Sequence, residues 1–329
     1  SAFFAAVGAV VRVGATPVFA DIDPVTFNID PKKIEEKITP RTKAIIPVHL
    51  FGQAADMDPI MAIAKKYNLK VVEDCAQCFG GVYKGKKAGT IGDVGCFSFC
   101  QSKHFTTGGE GGMVVTNNDD LAWEFRSFRD HGYDVQAKLN LLEMEGKQLY
   151  IHKRVGFNFR MTEMQSQIGL CELKRFDSWN LKNRIFNGKY LIKALKNHPL
   201  VKYAPLDTKE RQNAFWWAPF VLDTTKFKAG ITTKDFIAAV AAEGVPVYSV
   251  LWPEMYKERA YVERNGFGVA KYPFHDPKAR NIDYGQFNCK QANWMTDRTI
   301  SFFTHPVYTE EHMKAYVDAF KKVADAYMK

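Results

Sequence analysis

"LKVVEDCAQCFGGVYKGKKAGTIGDVGCFSFCQSKHF", residues 69–105, contains two short apolar runs, each followed by a residue able to do chemistry. The first, "LKVVED", closes on Asp74; the second, "VGCFSF", leads within a few residues to Lys103 and His104. Both are apolar with little polar alternation, as strands covered on both faces of a parallel sheet are. Open α/β sheets bind ligands beyond the carboxyl ends of such strands, which is where Asp74 and Lys103 fall.

Further apolar runs extend this pattern on either side. "TPVFADI" (16–22), "KAIIPV" (43–48) and "GGMVVT" (111–116) read as strands, with helical segments between them. Asp30 before Pro31 and Asp58 before Pro59 have the form of helix starts, an N-cap acid ahead of a first-turn proline. Asn118 to Asp120 announce another helix. "TEMQ" (162–165) has the form of a capping box, and Met161, Met164, Ile168 and Cys171 then recur at helical spacing, predicting a long helix to about Asn197.

"NHPLVKYAP" (197–205), with two prolines, is the predicted boundary between a large unit, 1–197, and a smaller one, 198–329. In the smaller unit "FWWAPFVLD", "VPVYSV" and "TISFF" read as strands and 232–243 and 309–328 as helices, an α+β arrangement. Residues 252–292 lack periodicity and read as a polar, aromatic-dotted surface excursion.

Composition narrows the function classes. The net charge is +9, but 45 basic residues are interspersed with 36 acids and no basic block or nucleic-acid motif emerges. Nucleic acid is therefore not the expected partner; a small anionic substrate is compatible. Six cysteines lie mostly in apolar runs, which suits free thiols in a reducing compartment, the cytoplasm. Cys75 and Cys78 form a CxxC without a second pair at zinc spacing, so no metal site is expected. No apolar run is long enough to span a membrane. The opening "SAFFAAVGAVV" lacks a basic leader and an initiator Met and reads as the middle of a longer chain.

The glycine clusters do not make nucleotide loops. "GGVYKGKK" (80–87) puts Lys87 where a phosphate loop needs a hydroxyl, and reads as a hairpin turn at Lys84 and Gly85. "GGEGG" (108–112) precedes a strand, whereas a dinucleotide fingerprint opens a helix. The lysine is more informative. In an apolar site it loses proton affinity and attacks aldehydes, forming a Schiff base. Pyridoxal 5'-phosphate is the aldehyde cofactor that needs such a lysine, together with a carboxylate against its ring nitrogen. Taken singly, Lys103 reads more readily as an exposed loop lysine and Asp74 as a helix-capping acid.

The run "DIDPVTFNID" through "VVEDCAQCFG" (21–80), then "GDVGCFSFCQSKHFTTGGEGGMVVTNNDDL" and "GFNFRMTEMQSQIGL", resembles the sugar aminotransferases of the DegT/StrS family. The likeness is nearly continuous from residue 1 to about 180 and looser beyond. It implies the aspartate-aminotransferase fold: an α/β large domain with a mainly parallel sheet, carrying pyridoxal phosphate, and a smaller C-terminal α+β domain. By position, Lys103 matches the Schiff-base lysine and proton shuttle, Asp74 the acid on the pyridine nitrogen, and Gln77 the contact to the ring hydroxyl. Ser98 matches a phosphate ligand and Phe3 the aromatic stacked on the ring. Asn158, with Arg160 two positions on, matches a residue given to the neighbouring subunit's phosphate site, which implies a homodimer with shared active sites.

The resemblance also implies an amino donor, glutamate or glutamine, and a keto-sugar nucleotide or cyclic polyol ketone as acceptor. His305 and the aromatics Trp252, Tyr256 and Tyr272 are candidate substrate contacts. The upstream small-residue turn that cradles the phosphate in the family is not in this sequence. Some relatives carry histidine in place of the lysine and dehydrate keto-sugars; here the lysine holds that position and His104 the next, which favours transamination. A dehydratase of the same family and a non-catalytic regulator that binds the cofactor are the alternatives.

Overall fold

The computed structural model describes residues 3–143, 151–250 and 254–329. Eleven strands are found among them: β1 (Ala44–Ile45), β2 (Lys70–Asp74), β3 (Val82–Tyr83), β4 (Lys86–Lys87), β5 (Val94–Ser98), β6 (Gly112–Val115), β7 (Val201–Tyr203), β8 (Arg211–Gln212), β9 (Trp217–Leu222), β10 (Val247–Tyr248) and β11 (Thr299–Phe303). The first sheet has the order β1-β2-β5-β6. Its first three strands are parallel, and β6 returns antiparallel to β5.

Because side chains alternate along a strand, β2 divides its residues between two faces. Val71 and Cys75 pack beneath the helix Met57–Lys66 with Met57, Ile60 and Ala64, all buried. Glu73 shares that face; Asp74 points the other way. Register then fixes the site, since Asp74 ends β2 opposite Cys96 while β5 runs on to Ser98.

The second sheet, β10-β11-β9-β7, is antiparallel. Every residue of β9 is buried because its alternate side chains serve two cores. Ala218, Phe220 and Leu222 face Phe236, Ile300, Phe302 and Phe320, under the helices Thr233–Ala242 and Glu310–Tyr327. Trp217 and Val221 face the other way, into an aromatic core with Tyr256, Tyr261, Phe274 and Tyr284.

"GGVYKGKK" forms the β3–β4 hairpin, and β8 adds to its edge. Lys84 and Gly85 both have positive φ, 46° and 80°, as the tight hairpin turn requires. The capping box is present, Thr162 and Gln165 each bonding the other's backbone. The helix it opens, Glu163–Arg175, continues through a wide π turn, Phe176–Leu181, into Lys182–Leu195. That turn carries buried Phe176, Asn180 and Leu181.

Four local expectations fail. "TPVFADI" is not a strand: residues 16–20 face 43–46 across a cavity of about 810 Å³, so no ladder forms, and the Pro17 carbonyl accepts from the Tyr284 hydroxyl instead. Asp30 caps only a single 3₁₀ turn, Pro31–Lys33. Asp58 lies inside its helix, which starts at Met57, and pairs with Lys84 at 2.5 Å. The 252–292 stretch is no polar excursion, because buried Tyr256, Tyr261, Phe274 and Tyr284 make it a wall of the aromatic core.

Phe302, fully buried and edge-on to Phe220 at 5.7 Å, carries the second sheet's packing. Phe302→Ala is expected to cost about 3–5 kcal/mol in denaturant unfolding; a loss below about 1 kcal/mol would contradict this packing.

Candidate active site

The Asp74 carboxylate accepts a hydrogen bond from the Ala76 amide, 3.0 Å. Burial raises its pKa; the Ala76 hydrogen bond, His49 and the Lys103 ammonium act against that rise. Lys103 stands half-buried in the loop after β5, where its amide bonds the Cys100 carbonyl at 3.0 Å. Burial lowers the pKa of its amine, opposed by Asp74 and Cys100. The two groups are therefore close enough for each charge to shift the other.

Nζ of Lys103 lies 4.3 Å from the centre of the Trp216 ring, over its face. The indole is fixed in turn by Nε1–H donating to the Ser102 carbonyl at 2.7 Å. Trp216 also donates its amide to the Phe51 carbonyl, 3.0 Å, and the Phe51 amide donates to Gln77 Oε1, 3.1 Å. Gly52 has φ +100°, and a Cβ there would collide with the Phe215 amide, so only glycine lets the two loops approach this closely. Lys103, Trp216, Phe51 and Gln77 thus form one connected wall, with Asp74 near the Lys103 ammonium.

Ser98 ends β5 opposite Gly112, and its hydroxyl accepts from the Cys100 amide at 3.3 Å. His104 turns away from Lys103 into the protein. Its carbonyl accepts from Asn180 Nδ2 at 2.6 Å, and its Nε2–H donates to the Ala214 carbonyl at 3.3 Å. Burial, then the nearby Arg184 guanidinium, hold its pKa well below that of a free histidine, so the ring is neutral. Arg184 is itself buried, bonded to Asn180 and the Trp216 carbonyl, with its pKa pulled down to about 10.

The profile of the DegT/DnrJ/EryC1/StrS aminotransferase family matches residues 1–321. The chain belongs to that family. An aminotransferase from Psychrobacter cryohalolentis superposes with a TM-score of 0.86 at 34% identity, over 98% of this chain and 79% of that one. NtdA from Bacillus subtilis, solved with bound cofactor PMP, superposes at 0.79 with 26% identity, over 98% of this chain and 66% of that one. The GDP-perosamine synthase of Caulobacter vibrioides is 49% identical over 175 residues, 53% of this chain and 44% of its own length. The family member described here thus spans about half the length of that relative. Its fold is the α/β fold of these sugar aminotransferases.

The family resemblance singles out further residues. Asn158 and Arg160 are exposed: Asn158 bridges to Asp130, and the Arg160 guanidinium pairs with the Asp130 carboxylate. Phe3 sits just ahead of the helix Phe4–Arg12, 42% exposed. His305 is exposed on the loop after β11, whose carbonyl is held by Asn187. Tyr256 is buried in the aromatic core with its hydroxyl on Glu254, and so is not an open substrate contact. Tyr272 covers Gly14, and Trp252 falls outside the described residues.

The sequence reading missed Trp216, Phe51, His49 and Glu73. Trp216 was read only as part of a strand, yet it precedes β9 and turns its ring to the lysine. The CxxC thiols Cys75 and Cys78 are both buried, with pKa values pushed up by burial. His49, Glu73 and Cys75 do bring ligand atoms within 4.8 Å of one another, but the first two are already hydrogen-bonded.

His104 gives a pH prediction. A neutral buried histidine contributes fully above the unfolded pKa, about 6.5, and its contribution is lost as pH falls below it, because the unfolded chain takes up the proton. Unfolding free energy should therefore fall between pH 6.5 and 5 by up to about 1.4 kcal/mol per pH unit from this residue. His104→Asn should flatten that slope; an unchanged slope in the variant would contradict the assignment.

Proposed function

We propose that the chain carries the lysine and acid of a pyridoxal phosphate-dependent aminotransferase that moves an amino group from glutamate or glutamine to a keto-sugar nucleotide. The observation that carries this reading is the Lys103 amine, half-buried over the Trp216 ring and near enough to the half-buried Asp74 for each charge to act on the other. The family supports it, as do the relative named for a GDP-sugar and the neighbour solved with PMP.

The residues present fit the cofactor chemically. Bound pyridoxal phosphate would supply an aldehyde and an electron-withdrawing ring. Lys103 would hold the aldehyde carbon, and its depressed pKa raises the share of free amine available for that bond. The same amine, once free, would be placed to carry a proton from the donor's α-carbon. Asp74 would hold the ring nitrogen, a task for which a carboxylate partly screened from water is suited. Gln77, three residues after Asp74, has its Oε1 on the Phe51 amide, which leaves its amide N–H groups for the ring hydroxyl. Ser98 offers its hydroxyl to the phosphate.

The neutral, inward-turned His104 takes no part in this scheme. The dehydratase alternative needs a histidine where Lys103 stands, and no observation favours it. Phe157, Phe159 and Val155, beside Asn158, are exposed, as are Met164, Ile168 and Leu170 on the following helix. That apolar face supports a homodimer in which Asn158 and Arg160 reach the neighbouring subunit's phosphate site. The six free cysteines support a cytoplasmic setting. No helix among the described residues is long and apolar enough to cross a membrane.

Protein loaded with pyridoxal phosphate should convert L-glutamate to 2-oxoglutarate, and the aminated protein should then aminate a keto-sugar nucleotide. Lys103→Ala is expected to slow both half-reactions by about 10²–10⁴-fold. Equal rates in wild type and variant would refute the role of Lys103, and no 2-oxoglutarate or other keto acid from any amino donor would refute transamination.

A further inference from the structure

On the reverse face of β2, directly behind Asp74, lies a buried pair that the proposed chemistry does not use. Glu73 and His49 are both fully buried, and His49 Nε2 is 2.9 Å from Glu73 Oε2. The Ala55 amide donates to His49 Nδ1 at 2.9 Å, so Nδ1 is an acceptor and the proton sits on Nε2, donated to Glu73. Glu73 collects three further donors, the amides of Gly89 (2.8 Å), Ile91 (2.7 Å) and Gly92 (2.6 Å). Burial works against its charge, but the His49 bond and the Gly92 and Gly89 amides prevail and leave its pKa below the usual carboxylate range. With every acceptor position in use, the pair is a complete hydrogen-bonded unit and not a metal site.

The same histidine reaches the front of the sheet through its backbone. Its amide donates to the Asp74 carbonyl at 3.0 Å, and the next residues form the loop whose Phe51 carbonyl holds the Trp216 amide and whose Phe51 amide lies on Gln77. We propose that His49 and Glu73 are positioning residues for the cofactor site: they lock the loop 49–55 and the loop 89–92 to β2, and so hold Asp74, Gln77 and Trp216 in register with Lys103. A constraint of this kind is what preorganises a site before its ligand arrives. The inference rests on the function proposed above for what the site binds, but the positioning itself is a property of the chain alone.

The test compares three variants of the same protein. His49→Leu removes both hydrogen bonds; His49→Gln keeps a donor and an acceptor side by side; Ile60→Ala, in the core on the same side of β2, destabilises without touching the pair. Kd for pyridoxal phosphate is measured well below each variant's Tm, and amide exchange at Phe51 and Trp216 is measured without cofactor. His49→Leu should raise Kd at least about tenfold and speed both amides, His49→Gln should recover most of the loss, and Ile60→Ala should change neither.

A Kd within about twofold of wild type in His49→Leu, or an equal rise in Ile60→Ala, would overturn the inference. Should His49→Leu not fold, Glu73→Gln serves, because its amide would turn N–H groups toward the Gly89 amide and His49 Nε2–H; the same rise in Kd is expected. If wild type binds no pyridoxal phosphate, the proposed function fails, while the exchange data still decide the positioning: unchanged exchange in the His49 or Glu73 variant overturns it.

Discussion

The parallel pairing of β2 with β5 is the constraint on which the site depends. Asp74 pairs with Cys96, so the acid lies at the last rung of the ladder and the chain leaving β5 must turn within a few residues. That turn carries Lys103 back toward the carboxylate. A slip of one residue in this register would send Asp74 to the helix-covered face and bring Glu73 to the front. Glu73 guards against the slip, since its buried carboxylate finds its four donors only on that rear face.

The front of the sheet is arranged differently. Where Glu73 is fully satisfied, Asp74 has, among the described residues, one amide donor to its carboxylate and a neighbouring ammonium, and Lys103 has a ring face in place of a hydrogen-bonded anion. Burial pushes both pKa values toward the neutral forms, while mutual attraction opposes it. Two incompletely satisfied groups side by side cost stability, and such costs concentrate where a ligand completes the network. The contrast between a closed pair behind the strand and an open pair in front of it is the physical signature of the site.

Much of this was legible in the sequence, and the reasons for the rest are specific. Apolar runs ending in Asp74 and before Lys103 marked strands and site together, and "TISFF", the Thr162 capping box and the Lys84–Gly85 turn gave local signals strong enough to stand alone. "TPVFADI" had the same local signal, but a strand needs a neighbour, and across from it lies a cavity. Trp216 was hidden because its role comes from a loop contact with Ser102 and Phe51, far away in the chain. His49 and Glu73 were hidden because a buried charge satisfied by backbone amides leaves no pattern in composition or periodicity. The 252–292 stretch misled because its tyrosines, scattered in sequence, converge only in three dimensions.

The central claim is that Lys103 is the amine that bonds the cofactor. Adding pyridoxal phosphate, reducing with borohydride and mapping the labelled peptide by mass spectrometry tests it most directly. The account predicts a single stable adduct on Lys103, in the peptide that also contains His104. A label on another lysine, or none after saturation with cofactor, would contradict it.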